Sequence, residues 1–64
     1  MRLTDFWQRM DRAFGAGYAD SVARDQVIEE LGSRTVHEAL DAGEDAQAVW
    51  RAVWAHFELP ARER

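Results

Sequence analysis

The stretch Thr35–Pro60, TVHEALDAGEDAQAVWRAVWAHFELP, constrains the fold more than any other part of this chain. It reads as two helices meeting at Gly43, each with its own start signal. Thr35 followed by Glu38 is a Thr-x-x-Glu capping box, in which hydroxyl and carboxylate each satisfy an orphan backbone N–H. Asp45, just past the glycine, is a good N-cap for the second helix. The spacing of Ala39, Gly43 and Val49 is also that of a helix-turn-helix, where a small residue marks the crossing, a glycine turns and an aliphatic residue docks the recognition helix. Such a corner is a fold statement first. Whether it also reads DNA depends on charge.

Eight arginines against twelve carboxylates give a net charge of −4. Neutralising phosphates is the main sequence-independent term in nucleic-acid binding, so this balance disfavours it unless the arginines cluster. The position after the turn glycine, usually apolar in a helix-turn-helix, is Glu44. The would-be recognition helix then offers Asp45, Gln47, Ala48 and Arg51. Two carboxylates stand where phosphates would approach. The corner therefore reads as structural, with DNA binding kept as the alternative.

The remaining chain is also helical by pattern. Leu3, Phe6, Trp7, Met10 and Phe14 recur at three- and four-residue steps, predicting a helix from Thr4 or Asp5 to Phe14, closed by Gly15. A second helix is expected over about Gly17–Leu31, closed by Gly32, with Tyr18, Val22, Val27, Ile28 and Leu31 among its apolar positions. Its first half is weaker, because Asp20, Ser21 and Asp25 have modest helix propensity, and a break near Ser21 is compatible with the pattern. The third helix is short, Val36–Ala42, with Val36, Ala39 and Leu40 inward. The fourth runs from Ala46 to about Glu58, with Pro60 beyond it. On its wheel Ala46, Trp50, Val53 and Phe57 lie within about 60° of one another, flanked by Val49 and Trp54. No period-2 alternation calls for a strand.

The expected architecture is all-α: three main helices plus one short one around Phe6, Trp7, Met10, Phe14, Val27, Leu31, Leu40, Trp50, Val53 and Phe57. Residues 1–60 form one domain, and residues 61–64, ARER, a frayed charged tail. A chain of this size buries only about 60% of the surface its unfolded form exposes. Without cysteine there is no disulfide or thiolate metal site to help. Helix packing or a partner, including a second copy, must supply the stability. The opening residues lack a secretory h-region and no apolar run reaches the roughly 20 residues of a membrane span, so the expected location is cytoplasmic.

No constellation of reactive groups emerges. His37 and His56 are nineteen residues apart without a third histidine, and His37 is expected to pair with Asp41 on its own helix. Glu29, Glu30 and Glu38 read as a solvated acidic face. Thr4 and Thr35 read as caps, and Gly15-Ala16-Gly17 lacks the lysine of a phosphate loop. The expectation is a non-enzyme without cofactor, metal or small-molecule substrate. Trp50 belongs to the core. Trp54, with Arg51 and Gln47, is the candidate contact for a protein partner, because tryptophan and arginine concentrate at binding hot spots.

The opening MRLTDFW with Met10 and Phe14, the central Ala23-Arg24-Asp25, LGSRTVHEAL at Leu31–Leu40 and AVWRAVWAHFELP at Ala48–Pro60 together resemble one family. It is the small actinobacterial proteins grouped as domain of unknown function 3046, and the resemblance covers nearly the whole chain. The all-arginine basic set agrees with a high-GC source. The resemblance implies no established activity and no site residues. Members are often encoded near the recombinase and its regulator, which implies a DNA-repair or recombination context by association alone. Trp54 departs from the family pattern, where a smaller residue is expected.

Overall fold

The apolar stripe at the start of the chain forms α1, Leu3–Phe14, in the computed structural model, which describes all of residues 1–64. Phe6 and Met10 are fully buried on its inner face, with Trp7 and Phe14 half-buried beside them. The helix starts at Leu3, ahead of the expected Thr4 or Asp5, and has no side-chain cap. It stops at Gly15, whose φ of 93° few other residues adopt and whose N–H donates to the Asp11 carbonyl at 2.7 Å.

The second helix departs most from expectation. α2 is Ala19–Asp25, not Gly17–Leu31. Gln26 is extended, and Ile28 donates its N–H to the Arg34 carbonyl at 2.9 Å as one rung of an antiparallel bridge. Extended backbone sends neighbouring side chains to opposite sides. Ile28 is therefore fully buried, while Val27, expected in the core, is 54% exposed. A 3₁₀ turn, Glu29–Leu31, follows and ends at Gly32 in the left-handed region.

The corner forms as its sequence signals require. α3 is Val36–Asp41, and both bonds of the Thr35–Glu38 capping box are made, at 3.1 and 2.8 Å. α3 ends in a Schellman arrangement: Gly43 N–H donates to the Leu40 carbonyl and Glu44 N–H to that of Ala39, with Gly43 at φ 90°. Asp45 then caps α4, Ala46–His56, by accepting from the Ala48 N–H at 3.2 Å. The same pair of closing bonds ends α4, from Glu58 to Ala55 and from Leu59 to Trp54. There the left-handed residue is Glu58, at φ 52°.

α4 is the centre of the molecule, touching α1, α3 and the Glu29–Leu31 turn, while α2 packs against α1 and α3. Val49, Trp50 and Val53 are fully buried, and Trp50 meets Phe6 edge to face with ring centroids 6.1 Å apart. Leu31 is buried as expected. Phe57 and Leu40 reach the core only partly, Phe57 by packing edge to face on Phe14 at 5.0 Å. Much of the remaining core is alanine, from Ala19, Ala23, Ala39, Ala46 and Ala52, which lets the short helices approach closely. The fold is all-α, and no helix is long and apolar enough to cross a membrane.

Candidate functional site

Residues 47, 51 and 54 are four and three apart, so Gln47, Arg51 and Trp54 lie within about 60° on one flank of α4. The structure brings them onto this common stripe but gives each a different setting. Arg51 is exposed and makes no hydrogen bond or ion pair within the chain. Gln47 is half-buried and lines a shallow polar depression of about 320 Å³ with Asp5, Gln8, Arg9 and Arg12 of α1. Trp54 is half-buried, at the edge of the core as the helical wheel indicates.

Trp54 is also covered by residues that composition alone suggests are frayed. Residues 61–63 form a 3₁₀ turn, Ala61–Glu63, that folds back over α4. A buried or half-buried indole N–H needs an acceptor, and the turn supplies two. Trp54 Nε1–H donates to the Pro60 carbonyl at 2.9 Å, and Trp50 Nε1–H to the Glu63 carbonyl at 2.7 Å. Arg9 donates to the Arg64 carbonyl at 2.8 Å, Arg12 Nε lies 3.5 Å from Glu63 Oε2, and the Arg64 guanidinium rests 5.4 Å from the Trp54 ring centre. Arg9, Arg12, Glu63 and Arg64 are the members of this site that sequence reasoning missed. Two tryptophans followed by a proline-led turn were the available signal, because both indoles would otherwise lack acceptors.

The histidines bridge elements instead of pairing locally. His37 Nε2 lies 3.0 Å from Asp20 Oδ1 on α2, not beside Asp41, because α3 packs against α2 and turns the ring toward Trp7 at 5.4 Å. His56 Nδ1 lies 3.0 Å from Glu30 Oε1, tying α4 to the 3₁₀ turn. The Glu30 carboxyl is held below its ordinary value, first by its own backbone N–H and then by His56.

Charge is unevenly distributed. Residues 20–45 carry Asp20, Asp25, Glu29, Glu30, Glu38, Asp41, Glu44 and Asp45 against only Arg24 and Arg34. The α1–α4 side, with residues 60–64, holds the other six arginines and only Asp5, Asp11, Glu58 and Glu63. Glu44 is held by Arg34 at 2.7 Å, and Asp45 is engaged as a cap. Both carboxylates thus remain at the opening of α4, while its Gln47–Arg51–Trp54 flank lies on the less acidic side.

No curated protein and no solved structure matches the chain. The family model described as "Protein of unknown function (DUF3046)" matches residues 1–62, which spans α1 to α4 and most of the closing turn. The chain belongs to that family.

Proposed function

We propose that this chain is a non-enzymatic, cytoplasmic interaction module that binds another protein, or a second copy of itself, through the Gln47–Arg51–Trp54 flank of α4. The observation that carries this proposal is the exposed, unpaired Arg51 guanidinium one helical turn from a half-buried indole. Arginine and tryptophan bring large contact area and directional donors together, which is why they dominate binding hot spots. Placement on the rigid central helix favours binding further, since little order is lost on docking.

Light scattering after size exclusion distinguishes a self-associating chain from a monomer that needs another protein. Capture from the lysate of a high-GC actinobacterial host, with wild type beside Arg51→Glu, then tests the face itself. The expected result is a partner, or a dimer, that is retained by wild type and lost on charge reversal. Equal retention by both chains contradicts the assignment. The alternative, a helix-turn-helix DNA binder serving repair or recombination, is disfavoured by Glu44 and Asp45 at the opening of α4. Gel shift at low salt separates the two, because even nonspecific DNA binders are retarded there.

A further inference from the structure

Residues 60–64 lie across the side of α4 that faces α1 as a short strap, and every group that holds them could hold another chain. The two indole N–H groups address main-chain carbonyls three residues apart, those of Pro60 and Glu63. Arg12 addresses the carboxylate of the second of these residues, and Arg9 a carbonyl one position further on. The recognised object is a single 3₁₀ turn with proline at its first position and a carboxylate at its fourth, closed by the Glu63 N–H on the Pro60 carbonyl at 2.9 Å. The contacts to Glu63 and Arg64 come from Trp50, Arg12 and Arg9, all remote in sequence from the link that follows α4.

Two further features make the strap exchangeable. The link passes through Glu58, at a positive φ that a non-glycine residue adopts only under strain. Glu63 Oε2 is buried without a hydrogen-bond donor, held only by the 3.5 Å approach of Arg12. The strap therefore satisfies its receptor well and is itself imperfectly satisfied. Without the strap's own Arg62 and Arg64, the surrounding side holds Arg2, Arg9, Arg12 and Arg51 against Asp5, Asp11 and Glu58, so the charge it recognises is the single carboxylate that faces Arg12.

We infer that the α1–α4 cleft is a peptide-binding groove occupied in cis by residues 60–64, and that its ligand in trans is a Pro-x-x-Glu turn of a partner protein. The inference rests on the assignment of the Trp54 flank of α4 as the binding face and names both the ligand class and the segment that competes with it.

The test uses the full chain carrying Glu63→Pro, which removes the turn's N–H and the carboxylate facing Arg12. The probe is an end-blocked peptide of residues 59–64, followed through the indole N–H signals of Trp50 and Trp54. The expected result is saturable binding to the variant, at least tenfold tighter than to wild type, whose own strap competes. A probe carrying Glu63→Ala should bind at least threefold more weakly. If the Glu63→Pro chain does not fold, Glu63→Ala in the full chain should still raise indole N–H exchange several-fold at both tryptophans. Indole signals unmoved by the probe in a folded variant, or equal binding to wild type, overturn the groove. That failure differs from failure of the α4 face. Partner capture lost with Arg51→Glu but no peptide binding retires the groove alone, whereas peptide binding with capture unaffected retires the Arg51 contact alone.

Discussion

The corner from Thr35 to Phe57 and the link from Gln26 to Arg34 are adjacent in the chain and are specified in different ways. The corner is written locally. Its capping box, its Schellman glycine and its Asp45 cap each bond within six residues. The link closes on itself through the Ile28–Arg34 bridge and the bond from Arg34 Nε–H to the Leu31 carbonyl at 2.8 Å, but its side chains are also held from outside. Ile28 and Leu31 are buried in the core formed around α4, Glu30 meets His56, and Arg34 reaches forward to Glu44. A region held by short-range bonds is legible from sequence, whereas one held by tertiary partners overrides its own helix propensity.

The most severe way to probe this difference is to remove what both regions share. Trp50 packs on Phe6 and anchors the strap. Trp50→Ala should cost about 3–5 kcal/mol, a large share of a small domain's stability. Denaturant unfolding with Arg51→Ala as the control, expected within about 0.5 kcal/mol of wild type, checks this. Comparable losses at both positions would mean that α4 presents a different face to the core.

Within the corner alone, Thr35→Ala removes one cap bond and should cost about 1 kcal/mol. A loss below the error of the measurement would show that packing, not capping, sets where α3 begins. Glu58→Gly relieves the left-handed strain at the second Schellman end and should raise stability by about 0.5–1 kcal/mol, as read by thermal unfolding. An unchanged midpoint would mean that contacts of the Glu58 side chain offset the strain.

The link has its own pH signature. The folded-state Glu30 carboxyl titrates below its ordinary value near 4.5, so its contribution is present above that pH and is lost as pH falls through the folded value. Stability measured from pH 6 to pH 3 should therefore decline less steeply for Glu30→Gln than for wild type. Parallel curves would remove the Glu30–His56 pair from the forces that hold the link.

These contrasts explain what was legible. The number of helices, the corner, both caps and the central place of Trp50 and Val53 follow from spacing and cap chemistry. The extent of α2 does not. Helical spacing put Val27 and Leu31 on one inner face, and the bridge between Ile28 and Arg34 replaced that period with an extended one. At the candidate site, the Gln47–Arg51–Trp54 stripe is visible on a helical wheel. The strap over it is not, because charged composition at residues 61–64 conceals the demand of two indole N–H groups for carbonyl acceptors. The partner of His37 is hidden for a similar reason, since Asp20 reaches it only through packing of α2 on α3.

The most direct test of the contrast between locally written and externally held structure is paired denaturant unfolding of Ile28→Ala and Val27→Ala. With Ile28 fully buried and Val27 mostly exposed, the expected losses are about 2–4 kcal/mol for the first and under about 0.5 kcal/mol for the second. Equal losses, or a larger loss at Val27, would contradict the extended link and restore a continuous helix from Gly17 to Leu31.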